Sequence, residues 1–166
     1  MRDYNSLAES ITLYMSRAAE KLRRQQSYAG LVHVYIRTSP FKPDDPLYSN
    51  GMTISLPSAT DDSRQLVNAA LWGFKQIYKP NYNYVKAGVI LSDIVAIEGV
   101  QTDLFSQSQA SPKSSALMTA MNSINRKMGK ESIKLASEGF SRPWKMRQEN
   151  KSPSYTTKWE EIPVTN

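Results

Sequence analysis

Few side chains in this sequence are placed by type and spacing to do chemistry. His33 is the one histidine and there is no cysteine, so a transition-metal site has no ligand set to build on. Asp44-Asp45 and Asp61-Asp62 are adjacent carboxylates of the sort a two-metal centre uses. The first pair, however, sits in the Pro-rich run FKPDDPLYSNG, and the second opens a helical pattern, where Asp caps free backbone N–H groups. No phosphate-binding glycine loop and no nucleophile–base pattern is present. The chain by itself is therefore read as non-catalytic, with no metal-binding residue.

Binding chemistry is better supplied. In LVHVYIRTSP, Val32, Val34 and Ile36 alternate with His33, Tyr35 and Arg37 until Pro40 ends the ladder, the mark of a half-buried strand. MTISL repeats the pattern, with Met52, Ile54 and Leu56 inward and Thr53 and Ser55 outward. YNYVKAGVILSDI sets Val85, Ala87, Val89 and Leu91 against Tyr84, Lys86, Gly88 and Ile90. With helices over the apolar face, the other face gathers His33, Tyr35, Arg37, Thr53, Ser55 and Lys86, with Thr38, Ser39 and Lys42 at its rim. Hydroxyls, backbone amides and a few cations hold phosphates without reading bases. So small a number of cations implies a modest, salt-sensitive affinity, and Gly88 leaves room for a close backbone approach. An ordinary solvated antiparallel face carries the same alternation, so the pattern leaves both uses open.

A second candidate is QTDLF, Gln101, Thr102, Asp103, Leu104 and Phe105, ahead of the polar run SQSQASPKSS. Adjacent Leu and Phe can fill an apolar pocket while Gln bonds its rim, as short linear motifs do. The alternative is that Leu104 and Phe105 fold back on the sheet edge.

With 166 residues, 40% of them apolar, the chain can bury one ordinary domain plus extras. Its formal charge is +6, which makes polyanions plausible partners. The excess lies late: from Ser106 onward ten basic residues face five acids. Absence of cysteine fits a reducing compartment. No apolar run approaches the roughly twenty residues of a membrane span, and MRDYNSLAES lacks the layout of a signal peptide. The expected setting is cytoplasmic, with no membrane contact.

The elements that must position these groups follow from periodicity. Ser6 and Glu9 form a capping-box pair for a helix with Leu7, Ile11, Tyr14, Met15, Ala18 and Leu22 on one stripe, while Arg17, Lys21 and Arg24 stay wet. A second helix is capped at Asp61 or Asp62, buries Leu66, Ala69, Ala70, Phe74 and Ile77, and closes at Pro80. A third begins at Ser111 and Pro112 and runs with Leu117, Met121, Ile124 and Met128 to Gly129. SIKLAS has the look of a short strand. The segment from Ser141 onward has no sustained period but carries Trp144, Tyr155 and Trp159, so it is either a docked arm or ordered only by a partner. Together this predicts an α+β sandwich with helices on one sheet face.

Four stretches carry a resemblance. RAAEKLR (Arg17–Arg23), IRTSPF (Ile36–Phe41), DSRQLVNAA (Asp62–Ala70) and YVKAGVIL (Tyr84–Leu91) resemble, in this order, the little-finger domain of Y-family translesion DNA polymerases of the UmuC type, the ImpB/MucB/SamB family. QTDLF falls where that family carries its sliding-clamp motif, and SPSYTTKW (Ser152–Trp159) resembles its C-terminal extension. The resemblance implies a little-finger β-α-β-β-α-β sandwich over 1–100, a clamp motif and linker over 101–116, and a small helical and extended C-terminal extension over 117–166. It implies that Tyr35, Arg37, Thr38, Ser39, Thr53, Ser55 and Lys86 contact the backbone of primer-template DNA, with Lys42 added from the rim. Gln101, Leu104 and Phe105 would bind the β sliding clamp, and the UmuD' dimer and RecA become possible partners of the extension. The setting implied is a bacterial cytoplasm, at the nucleoid when active in SOS mutagenesis.

Three departures stand beside the likeness. The palm, fingers and thumb that perform nucleotidyl transfer, and with them any Mg2+, belong to parts of such a polymerase not found here. The first little-finger strand is also largely truncated, MRDYNS keeping at most its end, which exposes a sheet edge that invites dimer pairing. Thr102 stands where the related motif often has Leu, which lowers the expected clamp affinity. The rival to a DNA-binding, clamp-tethering module is a stand-alone interaction adaptor with an inert sheet face.

Overall fold

The central strand is β1, Ser27–Thr38, and it is central because its inward row, Val32, Val34 and Ile36, is fully buried. The computed structural model describes residues 3–43, 45–97, 112–141, 144 and 152–162. Along the chain α1 (Tyr4–Arg24) precedes β1, and β2 (Ser49–Thr60), α2 (Ser63–Ile77), β3 (Tyr84–Ala96) and α3 (Pro112–Met128) follow. Short 3-10 turns lie at Ala136–Glu138 and Trp159–Glu161. The strands form one antiparallel sheet in the order β2-β1-β3. This is an α+β architecture like that of a little finger, with three strands among the described residues, so the outer edges of β2 and β3 have no strand beside them there.

Both sheet-covering helices are amphipathic and pack on the same face. Leu7, Ile11, Met15, Ala19 and Leu22 of α1 meet Leu66, Val67, Ala70, Phe74 and Ile77 of α2 over the inward rows of the strands. Burying each of these large aliphatic or aromatic side chains stabilises by about 1.5–3 kcal/mol before entropy is subtracted. Gly73 sets how closely α2 can approach: a Cβ there would stand 2.5 Å from Ile54 Cδ1 and 2.9 Å from Val34 Cγ1. Tyrosines seal one end. Tyr84, 1% exposed, donates from its hydroxyl to the Lys79 carbonyl (2.9 Å) and accepts from the Lys79 N–H (3.1 Å), and Tyr48 donates to the Ile77 carbonyl at 2.6 Å.

Several local expectations need correcting. Asp3, not Ser6, caps α1: its carboxylate accepts from the Ser6 N–H at 2.8 Å, and the helix starts one residue later. In β3 the alternation breaks at its start. The register with β1 slips between Arg37 and Thr38, leaving Val85 unpaired and 54% exposed while Tyr84 turns into the core. SIKLAS forms no strand; Ala136–Glu138 is a 3-10 turn. On α3 the buried apolar residue is Met118, 2% exposed, whereas Leu117 and Met128 are 42% and 76% exposed. Gly129, at φ +105, ends α3 in a conformation that suits glycine.

The phase of α3 is fixed by polar contacts. Asp62, 2% exposed, caps α2 by accepting from the Arg64 N–H at 2.8 Å, and its two oxygens also hold the Arg64 guanidinium at 3.1 and 2.7 Å. Ser114 of α3 donates a short hydrogen bond to the same carboxylate. Arg23 of α1 donates to the Asp61 carbonyl (2.7 Å), Ser63 (2.9 Å) and Asn122 of α3 (3.2 Å). Farther along, Trp144 donates to Glu9 at 3.3 Å and meets Tyr14 edge-on, so this part of the C-terminal segment is docked on α1. Trp159 is 89% exposed.

Candidate nucleic-acid interface

The open face of the sheet is laid out in rows set by strand register. Ser49, Arg37 and Lys86 form one row, Gly51, Tyr35 and Gly88 the next, then Thr53, His33 and Ile90, and last Ser55, Leu31 and Ser92. Side chains directly opposite on neighbouring strands are close, and like charges in that position repel. Arg37 and Lys86 are such a pair, both exposed, and neither has an ion pair among the described residues. An anion lying across this row would relieve the repulsion.

Tyr35 is flanked by glycine on both sides, and the rings use the space. A Cβ on Gly88 would stand 2.5 Å from Tyr35 Cζ, and one on Gly51 would stand 3.0 Å from His33 Cε1 and Nε2. Gly88 thus makes room for the Tyr35 ring, not for an approaching backbone. His33 and Tyr35 lie with ring centroids 6.2 Å apart, and His33 Nδ1 is 2.8 Å from Thr53 Oγ1, a contact that holds the imidazole against β2. The surface is a patch of aromatic rings bordered by hydroxyls, with the two cations at one end.

The residues singled out from sequence divide into two groups. Tyr35, Arg37, Thr53, Ser55 and Lys86 come together on this face, joined by His33. Lys42 is exposed in the loop beyond β1, and Ser39 there accepts from the Phe41 N–H at 3.2 Å. Thr38 does not join them: it is 4% exposed, and its hydroxyl accepts from the Tyr48 N–H at 2.9 Å on the core side of the slip in register. Ser49, Ser92, Ile90 and Phe41, the last 90% exposed, were not singled out. Ser49 and Ser92 become visible only once strand pairing is known, and Phe41 is signalled by standing between Pro40 and Pro43 in a polar loop. Gln101, Thr102, Asp103, Leu104 and Phe105 lie outside the described residues. Among the described residues no helix is long and apolar enough to cross a membrane.

The paired aspartates take structural roles where they are described. Burial alone would push the Asp62 carboxyl up, but the hydrogen bonds from Arg64 and Ser114 and the Arg64 charge outweigh it and hold it below its usual range. Burial raises Asp61 instead, with Arg23 opposing.

Comparison with known proteins matches both halves of this layout. Residues 1–104 match the impB/mucB/samB family C-terminal domain, and residues 115–164 match a domain of unknown function, DUF4113. The chain is 34% identical over 160 residues to the protein UmuC of Salmonella typhimurium, covering 96% of this chain and 38% of the relative. It is 39% identical over 158 residues to MucB of Escherichia coli, with 95% and 37% covered, and 36% identical over 162 residues to ImpB of Salmonella typhimurium, with 98% and 38% covered. The chain therefore spans less than two-fifths of the length of these relatives. With the α+β sandwich in place and more than half of its residues matched, the chain belongs to the impB/mucB/samB family, as a C-terminal portion of it.

Proposed function

We propose that this chain is the DNA-gripping and clamp-tethering portion of an error-prone translesion DNA polymerase acting in SOS mutagenesis. The observation that carries the proposal is the exposed Arg37–Lys86 cross-strand pair, without an ion-pair partner among the described residues, beside a hydroxyl-bordered aromatic patch. In a duplex held against this face the two cations take backbone phosphates, while Thr53, Ser55, Ser49 and the Tyr35 hydroxyl supply neutral hydrogen bonds. Contacts of this kind fix position without demanding a sequence, as an enzyme copying damaged template requires.

The QTDLF motif at Gln101–Phe105 supplies the second attachment, to the β sliding clamp, through Leu104 and Phe105 in an apolar pocket. Two weak attachments joined in one chain act at high effective concentration, so each alone can be weak. Nucleotidyl transfer and its Mg2+ belong to a palm domain outside this chain, and the UmuD' dimer and RecA are partners expected for the extension. The test is binding of this chain to purified clamp and, separately, to primer-template DNA. Leu104→Ala/Phe105→Ala should abolish clamp binding and leave DNA binding intact. Clamp binding unchanged by that double substitution would remove the tether from the proposal.

A further inference from the structure

On the far side of α1 from the sheet, a groove of about 1000 Å3 runs between α1, the start of α2, α3 and the chain up to Glu138. Its floor is aliphatic, formed by Leu13, Met121, Ile133 and Leu135. Its walls carry more cations than acids, the acids being Glu20, Glu131 and Glu138. Arg17 is held by Glu131 at 3.0 Å and Arg24 by Glu20 at 2.6 Å, and Lys134 donates to the Gly139 carbonyl at 2.7 Å. Lys21 on the α1 wall and Arg126 and Lys130 on the opposite side are exposed and have no ion pair among the described residues. Like charges facing one another across a groove favour an anionic occupant.

We propose that this groove docks an acidic peptide segment of another protein, one that carries apolar side chains on one face. Charge complementarity requires the acid, and the aliphatic floor, with Ile133 still 39% exposed, offers the burial that anchors an amphipathic segment between helices. A nucleic acid fits less well, because among the described residues no aromatic side chain lines the groove for bases to stack on. Arg37 and Lys86 are not part of it, so it is independent of the sheet face.

The probe is a fluorescent peptide of about four helical turns with Leu at helical spacing and Glu elsewhere; polyglutamate and an oligo-dT strand of similar length serve as comparisons. Anisotropy is read on the full chain, on Lys21→Glu/Lys130→Glu and on Arg37→Ala/Lys86→Ala, each checked for an unchanged thermal melt. If either pair shifts the melt, the single charge removals Lys21→Gln and Arg37→Gln replace it. The amphipathic peptide should bind, weaken about tenfold or more with the groove charges reversed, be indifferent to the sheet-face pair, and shift the amide resonances of α1 and α3. The proposal is overturned by no peptide binding, by equal binding to the reversed groove, by polyglutamate binding as tightly as the amphipathic peptide, or by oligo-dT being the ligand lost on reversal.

Discussion

The ring of Tyr35 lies over Gly88 in the middle of the open sheet face, so closely that a Cβ on Gly88 would stand 2.5 Å from the ring's Cζ. Gly51 is the residue paired with Tyr35 on the other side. Glycine on both neighbours lets an aromatic ring settle onto the sheet, which fixes its hydroxyl for contact with a ligand. Gly88→Ala should tip the ring toward solvent at a cost of about 1 kcal/mol in stability, because the far end of the ring has space to move. DNA binding should weaken by more than that stability change explains. Urea denaturation and binding to a primer-template duplex, measured on the same variant, separate the two effects.

Gly73 presents the opposite case, because the atoms that a Cβ would meet, Ile54 Cδ1 and Val34 Cγ1, belong to the packed core. Gly73→Ala should lower stability by about 1–3 kcal/mol through separation of α2 from the sheet, outweighing the better helix propensity of alanine. A lower urea midpoint at unchanged m-value is the expected signature.

Asp62 couples α2 to α3, and its depressed carboxyl gives that coupling a pH dependence. A carboxyl whose folded value lies below its unfolded value binds fewer protons in the folded state, so its stabilising share is present above the ordinary range near 4 and is lost as pH falls through the folded value. Asp62→Asn keeps a capping oxygen for the Arg64 N–H but loses the charged bonds to the Arg64 guanidinium, so it should destabilise at neutral pH by about 1–2 kcal/mol and should flatten the acid limb of the stability profile. Asp61 is shifted upward, so its linkage runs the other way and favours folding as pH falls. Asp61→Asn should steepen the acid limb that Asp62→Asn flattens. Chemical denaturation between about pH 3 and 7 distinguishes them.

Ser114→Ala removes the bonds that tie α3 to that carboxylate and to the Arg64 guanidinium (3.1 Å), and leaves the α2 cap in place. It should loosen α3 while α1, α2 and the sheet stay protected. Hydrogen exchange is the measurement: faster exchange confined to α3 is expected, and uniform acceleration would mean that the two parts unfold together.

Much of this was legible in the residues because one physical rule governed each stretch. Strict alternation in Val32–Ile36 and Met52–Ser55 placed those side chains correctly, since both runs keep an unbroken register with their neighbours and the β1–β2 pairing shifts only beyond Ser55. Asp62 could be read as a cap from local chemistry alone. Reading failed where a neighbour decided the outcome. Val85 faces out and Thr38 is buried because of one slipped register, which no alternation pattern contains. Met118, not Leu117, is buried because Ser114 is held at Asp62, a contact across fifty-two positions of sequence. Asp3 and Ser6 are both good caps in composition, and the actual start of α1 chose between them. The basic groove has no signature in the residues for the same reason: Lys21 and Lys130 line one groove only through the docking of α3.

The salt dependence of DNA binding tests most directly whether the sheet face grips the phosphate backbone. Affinity for a primer-template duplex would be measured against salt concentration for the unaltered chain and for Arg37→Ala/Lys86→Ala. Each lost phosphate contact should make the log–log slope shallower by about 0.9, so the double substitution should weaken binding and reduce the slope by nearly 2. Equal affinity and equal slope for the two proteins would mean that DNA, if bound, is held elsewhere, and the open face would then be an ordinary solvated sheet surface.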